Sequence, residues 1–161
     1  MVLKTLRSKL WGGSLTGTTT LNWQPQLHWQ INWQAKNINP AMIWKNRHSP
    51  IRLPSNLSAT VTGQGQNDSG SIQWKKLSAK LKQQKFTGQG NITFNDNKLD
   101  TIQSSLKSKQ TSVYLNGTYT TEWLLKWRVR SSDLSIFSNL LHGRINANGQ
   151  LLGDRLNPTL I

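Results

Sequence analysis

The sequence predicts an all-β chain: one curled sheet of about ten strands, mostly joined as an antiparallel meander, with one apolar face and two short helical turns. Three observations predict it. Apolar and polar residues alternate along most of the chain, the period-two pattern of strands with one dry side. Glycines fall inside these runs and mostly on their apolar side. Short clusters of Asn, Asp, Gly and Pro separate the runs.

The elements follow in order. The chain opens in a strand-like unit, Leu10-Trp11-Gly12-Gly13-Ser14-Leu15, and Leu15, Gly17, Thr19, Leu21 and Trp23 form a weak alternating run closed by Trp23-Gln24-Pro25. The clearest run sets Leu27, Trp29, Ile31, Trp33 and Ala35 against His28, Gln30, Asn32, Gln34 and Lys36. Asn39-Pro40-Ala41-Met42-Ile43-Trp44 places a cap residue before a proline at the first helical position and predicts a single helical turn. Leu57, Ala59, Val61 and Gly63 alternate with Ser58, Thr60 and Thr62, and Asn67-Asp68-Ser69-Gly70 reads as a turn.

Residues 74–85 fit two patterns. Trp74, Leu77 and Leu81 share a helix face, and the lysines around them would make that helix basic and amphipathic; Leu77, Ala79 and Leu81 also alternate. The flanking strands favour a strand. Phe86, Gly88, Gly90, Ile92 and Phe94 then alternate cleanly up to the turn Asn95-Asp96-Asn97. Val113, Leu115, Gly117 and Tyr119 make the next run, and Trp123, Leu125, Trp127 and Val129 the one after. Between Asp133 and Leu141 a cap, apolar residues at spacing three and the stop at Gly143 predict a second helical turn. Ile145, Ala147, Gly149 and Leu151 form the last run, before turn chemistry at Gly153-Asp154 and Asn157-Pro158. The stretches 23–65 and 119–153 share an order of Trp strand, helical turn and Gly strand, a weak internal repeat that suggests a stacked, elongated architecture. Both chain ends fall within this pattern, so residues 1–161 read as a single β-repeat segment of a longer chain.

Glycine weakens a strand interior unless curvature or a close neighbour requires it. A sheet with glycine on its apolar face curls toward that face, which leaves a barrel, half of a sandwich or an open trough.

Composition narrows the function. There is no cysteine, so disulfide scaffolds, zinc fingers and thiol catalysis are excluded. The six acidic residues have no paired-carboxylate or metal-loop spacing, and His28, His48 and His142 stand apart, so no catalytic constellation, metal site or cofactor site is expected. No apolar run approaches the ~20 residues of a membrane helix, and residues 1–20 lack the apolar core of a signal peptide. The net charge of +14 and the eight tryptophans admit three readings: single-stranded nucleic acid on a basic β-barrel, an anionic lipid surface, or a solvated outer face. Against the first, the tryptophans sit on the apolar side of the alternation and not among the lysines.

The run Leu10-Trp11-Gly12-Gly13 leading to Trp23, Trp29 and Trp33, and the turn Asn37-Ile38-Asn39-Pro40-Ala41, resemble the periplasmic β-repeat region of TamB-type proteins, which are AsmA-like. So do Ser131-Ser132-Asp133-Leu134-Ser135, the stretch from Gly143 to Gly153, and Asn157-Pro158-Thr159-Leu160. The motifs are degenerate, and their order over nearly the whole chain carries the resemblance. It implies a curled, taco-like sheet whose concave face is a long apolar groove. It implies a central segment of an inner-membrane-anchored protein that bridges the periplasm of a Gram-negative bacterium. It implies passage of phospholipid between the membranes and assembly of autotransporter-type outer-membrane proteins. The partners would be phospholipid, an Omp85-type protein similar to TamA through regions outside this chain, and unfolded β-barrel substrates; no nucleic acid is expected.

The residues expected to line the groove are Leu27, Trp29, Ile31, Trp33, Leu57, Ala59, Val61, Phe86, Ile92, Phe94, Val113, Leu115, Trp123, Leu125, Trp127, Val129, Ile145, Ala147 and Leu151. The plainer expectation for the same residues is an ordinary core covered by a second sheet. A third reading is a scaffold whose open strand edges pair with an unfolded outer-membrane strand.

Overall fold

The computed structural model describes residues 2–42, 54–96, 98–119, 121–153 and 159–160. Eleven strands form one open, curled, antiparallel sheet in strict sequence order. They are β1 (Val2–Leu10), β2 (Gly13–Asn22), β3 (His28–Ile38), β4 (Ser55–Gln66), β5 (Ser69–Leu81), β6 (Gln84–Asn95), β7 (Lys98–Lys107), β8 (Thr111–Tyr119), β9 (Trp123–Ser131), β10 (Ile145–Gly153) and β11 (Thr159–Leu160). Each pairs only with its chain neighbours, the order of an antiparallel meander. At ~4.8 Å between strands, the sheet runs about 48 Å along its stacking direction.

Residues 74–85 resolve as strand, turn and strand. The helical spacing of Trp74, Leu77 and Leu81 comes from a register shift between Trp74 and Leu77 in the β5–β6 pairing. Lys76 takes a left-handed φ of +53° there. The extra residue lets Trp74 and Leu77 point to the same side although they are three apart. β7 has no counterpart in the alternation: a shift at Phe94 pairs that residue with Leu99, while Ile102 pairs with Ile92 and Leu106 with Gly88.

Both helical turns are short 3₁₀ segments, Pro40–Met42 and Leu134–Ile136. In the first, Asn39 Oδ1 accepts from the Ala41 amide at 3.1 Å. In the second, Asp133 Oδ1 accepts from the Ser135 amide at 2.8 Å. Gly143, at φ +96°, reverses the chain, and its carbonyl accepts from the Leu134 amide at 2.9 Å. The predicted features at Ile43-Trp44, His48, Asp154 and Asn157-Pro158 lie outside the described residues.

No second layer covers the sheet among the described residues. The packed cluster is small: Leu81, Phe86 and Ile136, with Leu106 and Phe137 against them. A compact monomer of this mass exposes about 8,100 Å². This chain exposes 11212 Å². The excess is that of a single-layer sheet whose apolar side is not buried against a partner layer.

Candidate functional site

Strand register assembles the apolar side into rows that cross the sheet. One row runs Ile31, Gly63, Ile72, Ile92, Ile102, Gly117, Leu125, Leu151 and Leu160, from β3 to β11. Beside it run Leu6, Gly17, Trp33, Val61, Trp74, Gly90, Ser104, Leu115, Trp127 and Gly149. A further row joins Leu77, Gly88, Leu106, Val113, Val129 and Ala147. Side chains in these rows are more buried than those that alternate with them, as on the inner, concave side of a curled sheet, and the rows make the floor of that trough.

Every tryptophan within a strand is paired with a glycine of a neighbouring strand: Trp29 with Gly65, Trp33 with Gly17, Trp74 with Gly90, Trp123 with Gly153 and Trp127 with Gly149. At three of these pairs the indole lies over the glycine. A Cβ built on Gly17 would stand 2.6 Å from Trp33 Cδ1, and one on Gly90 2.6 Å from Trp74 Cε2. Trp29 crosses both Gly65 and Gly70, whose built Cβ atoms would each lie 2.5 Å from its Cζ2. It reaches the Phe94 ring, with centroids 5.9 Å apart and planes within 5°. Here the glycines make room for rings that lie down on the sheet and flatten the floor. The Trp33 indole N–H donates to Thr19 Oγ1 at 3.1 Å, so its one polar atom is satisfied.

The register places the groove residues expected from sequence as follows. Trp29, Ile31, Trp33, Ala59, Val61, Ile92, Phe94, Val113, Leu115, Trp123, Leu125, Trp127, Val129, Ala147 and Leu151 fall in or directly beside the rows. Leu57 pairs with Ile38, Phe86 with Ala79 and Ile145 with Ser131, all toward one edge of the trough. Leu27 precedes β3, and its carbonyl accepts from the Asn67 amide at 2.7 Å. The groove set expected from sequence lacks Ile72, Trp74, Leu77, Leu99, Ile102 and Leu106, which the register puts on the same side. Most of these side chains are half-buried, and no large side chain is fully buried.

The strand ends form two lips. At one lie the turns β1–β2, β3–β4, β5–β6, β7–β8 and β9–β10; at the other lie β2–β3, β4–β5, β6–β7 and β8–β9. The segment carrying the second 3₁₀ turn folds in at the first lip, where Ile136 is 2% exposed against Leu81 and Phe86. Its anchor is a buried pair of hydroxyls, Thr111 Oγ1 and Ser131 Oγ, 2.9 Å apart.

The convex side is polar. Rows of Thr, Asn and Gln such as Asn32, Thr62, Gln73, Asn91, Gln103, Asn116, Lys126 and Gln150 cross it. Lys126, Arg128 and Arg130 line a shallow depression there with Tyr114, Asn116 and Asn148. Trp127 and its partner Gly149 border the same depression, while Trp29, Trp33, Trp74 and Trp123 do not. The open sheet, with β1 and β11 at its edges, is also not a barrel. Among the described residues no group of His, Cys, Asp or Glu could hold a metal ion, and no helix is long and apolar enough to cross a membrane.

A family model described as the N-terminal domain of TamB matches the chain over residues 1–161. No curated protein and no solved structure matches it.

Proposed function

The chain belongs to the TamB family, and from that premise we propose that its concave side carries phospholipid acyl chains between the two membranes of a Gram-negative bacterium. The observation that carries this reading is the uninterrupted apolar row from Ile31 to Leu160, with no second layer over it among the described residues. Each methylene taken from water contributes ~0.8 kcal/mol, so an acyl chain of about sixteen carbons gains roughly 12 kcal/mol gross on such a floor. Successive floor positions Ile72, Ile92 and Ile102 have the same side chain, so one ladder step along the groove changes that energy little. A carrier that holds lipid this way uses no nucleophile, metal or cofactor.

The chain is then a segment of a periplasmic bridge belonging to an inner-membrane-anchored protein. A role in assembling autotransporter-type outer-membrane proteins, with unfolded β-barrel substrates and an Omp85-type partner, belongs to the same proposal and rests on the family alone.

The test is a photo-crosslinking residue placed at Ile92 or at Gln89, on opposite sides of β6, in the full-length protein in cells. Phospholipid recovered by mass spectrometry at position 92 and not at 89 is the expected result. Equal recovery at both, or none at either, refutes a one-sided lipid groove.

A further inference from the structure

The two lips of the trough carry opposite charge. At the lip formed by the β2–β3, β4–β5, β6–β7 and β8–β9 turns stand Asp68, Asp96, Asp100 and Glu122, with Lys98 beside them and Lys4 two residues in from the same end of β1. At the other lip stand Lys36, Lys80, Lys82, Lys85, Lys107 and Lys109. Asp133 is the one acidic residue on that side among the described residues, and its Oδ1 is held by the Ser135 amide at 2.8 Å. Strand alternation alone would distribute charge evenly between the two ends of each strand. The segregation therefore gives the groove a polarity across its width.

The basic lip also has a built recess. Where the β5–β6 and β7–β8 turns meet the second 3₁₀ segment, Lys82, Lys85, Lys109, Gln84 and Gln110 surround a cleft with Ile136 at its base; Asp133 also borders it, its Oδ1 occupied by the Ser135 amide, so three lysines face one carboxylate. Ser108 Oγ donates to Gln84 Oε1 at 2.9 Å, and Gln84 Nε2 donates to Gln110 Oε1, so the amide groups are fixed in place. Lys82 Nζ reaches Ser135 Oγ at 3.3 Å, which ties one cation to the infolded segment. Among the described residues, no side chain hydrogen-bonds to or pairs with the Lys85 or Lys109 ammonium group. Unpaired ammonium groups beside fixed amides and above an apolar base suit a phosphate ester attached to a hydrocarbon body.

We propose that this cleft receives the phosphate of an anionic phospholipid whose acyl chains lie on the groove floor, so that lipid travels with its headgroup on the basic lip. The proposal rests on the groove reading above. The acidic lip repels the same headgroup, and the two lips together fix one orientation of the cargo across the trough.

The experiment uses the full-length protein incubated with vesicles of equal parts phosphatidylglycerol and phosphatidylethanolamine. Photo-crosslinking residues stand at Gln83 on the basic lip, at Asn67 on the acidic lip, or at Ile92 on the floor. Headgroup adducts are expected at position 83 and not at 67. The combined substitution Lys82→Gln, Lys85→Gln and Lys109→Gln should lower the ratio of anionic to zwitterionic lipid captured at position 92 by roughly tenfold. The substitutions Asp68→Lys, Asp96→Lys and Glu122→Lys at the other lip should bring headgroup adducts to position 67 as well. Equal adducts on both lips of the unaltered protein, or a ratio unchanged in the lysine variant, overturns the headgroup assignment while lipid at position 92 leaves the groove reading intact. Adducts at position 83 that carry phosphate without acyl chains assign the cleft to a free phosphate ester and also overturn it. Absence of lipid at position 92 in the unaltered protein overturns the groove reading and this proposal together.

Discussion

Gly90→Ala tests whether the tryptophans are held down on the sheet. Gly90 does not have a left-handed φ, so alanine brings no backbone strain of that kind. Were the site open, alanine would stabilise the chain by about 0.4–1 kcal/mol through the unfolded state. The site is not open. The new Cβ would stand 2.6 Å from Trp74 Cε2 and 2.5 Å from the Gln103 carbonyl oxygen. Both distances are inside any normal carbon contact, so the indole must lift and the β6–β7 ladder must give. Overpacking of this kind costs about 1–3 kcal/mol. The net expectation is a loss of roughly 1–2 kcal/mol, or about 2–8 °C in Tm for a chain of this size. The assay is urea unfolding followed by tryptophan fluorescence, run with Gly90→Ala, Trp74→Leu and the double variant. In the Trp74→Leu background the cost of Gly90→Ala should fall by at least ~0.5 kcal/mol, because the ring is gone, and should not vanish, because the Gln103 carbonyl remains. A neutral or stabilising Gly90→Ala refutes the packing argument. Additivity of the two substitutions refutes the part of it that concerns Trp74.

Phe86→Ala, at a residue 3% exposed and packed on Leu81 and Ile136, should cost about 3–5 kcal/mol in the same assay. Trp23→Ala, at a residue 58% exposed, should change stability by no more than about 0.5 kcal/mol. Asp133→Ala removes the cap of the second 3₁₀ turn and should cost about 1 kcal/mol, with faster amide exchange at Ser135 as the local signature. Deletion of Lys76 removes the extra residue of the β5 bulge and leaves Trp74 and Leu77 two apart, so plain alternation keeps Leu77, Ala79 and Leu81 on the concave side and urea unfolding should stay cooperative; insertion of a second residue after Lys76 should turn the three to the convex side and abolish cooperative unfolding.

The strands that could be read from the chain are those whose phase is unbroken, such as 27–35, 86–94 and 123–129. The ones that could not are those a bulge re-phases. In β5 and β7 the extra residue moves the apolar positions to spacings of three and four, which imitate a helix: Trp74, Leu77 and Leu81 in the one, Leu99, Ile102 and Leu106 in the other. Ser104 stands on the apolar side of β7 and dilutes its signal further. The pairing of each strand tryptophan with a glycine was out of reach for a different reason. It joins positions such as 33 and 17, or 127 and 149, and depends on strand register, which turn lengths and bulges set together. The glycines in strand interiors were its legible trace, mixed with others such as Gly88 and Gly117 that face leucine and isoleucine. The charge of the lips was equally present in the chain, in alternate turns, but invisible until the order of strands assigned each turn to a side.

An apolar face left open along the sheet is ordinarily an aggregation hazard. Two features of this sheet limit that hazard without covering the floor. The rings that would project farthest lie flat: Trp29 extends over two glycines to Phe94 and does not rise into the trough. The second 3₁₀ segment buries only the edge of the floor, at Leu81 and Phe86, and leaves the row from Ile72 to Leu125 free. A second copy docking face to face would have to bring one pair of charged lips against another. In the arrangement that superposes like lips the lysines repel, and in the arrangement that opposes them the acidic residues must reach past the infolded segment at the basic lip. A hydrocarbon chain meets neither obstacle, because it is thin enough to lie between the lips and carries charge only at one end. The same charge distribution that disfavours a second protein layer thus favours an amphiphile with an anionic head, and it ties the openness of the sheet to the class of molecule proposed to fill it.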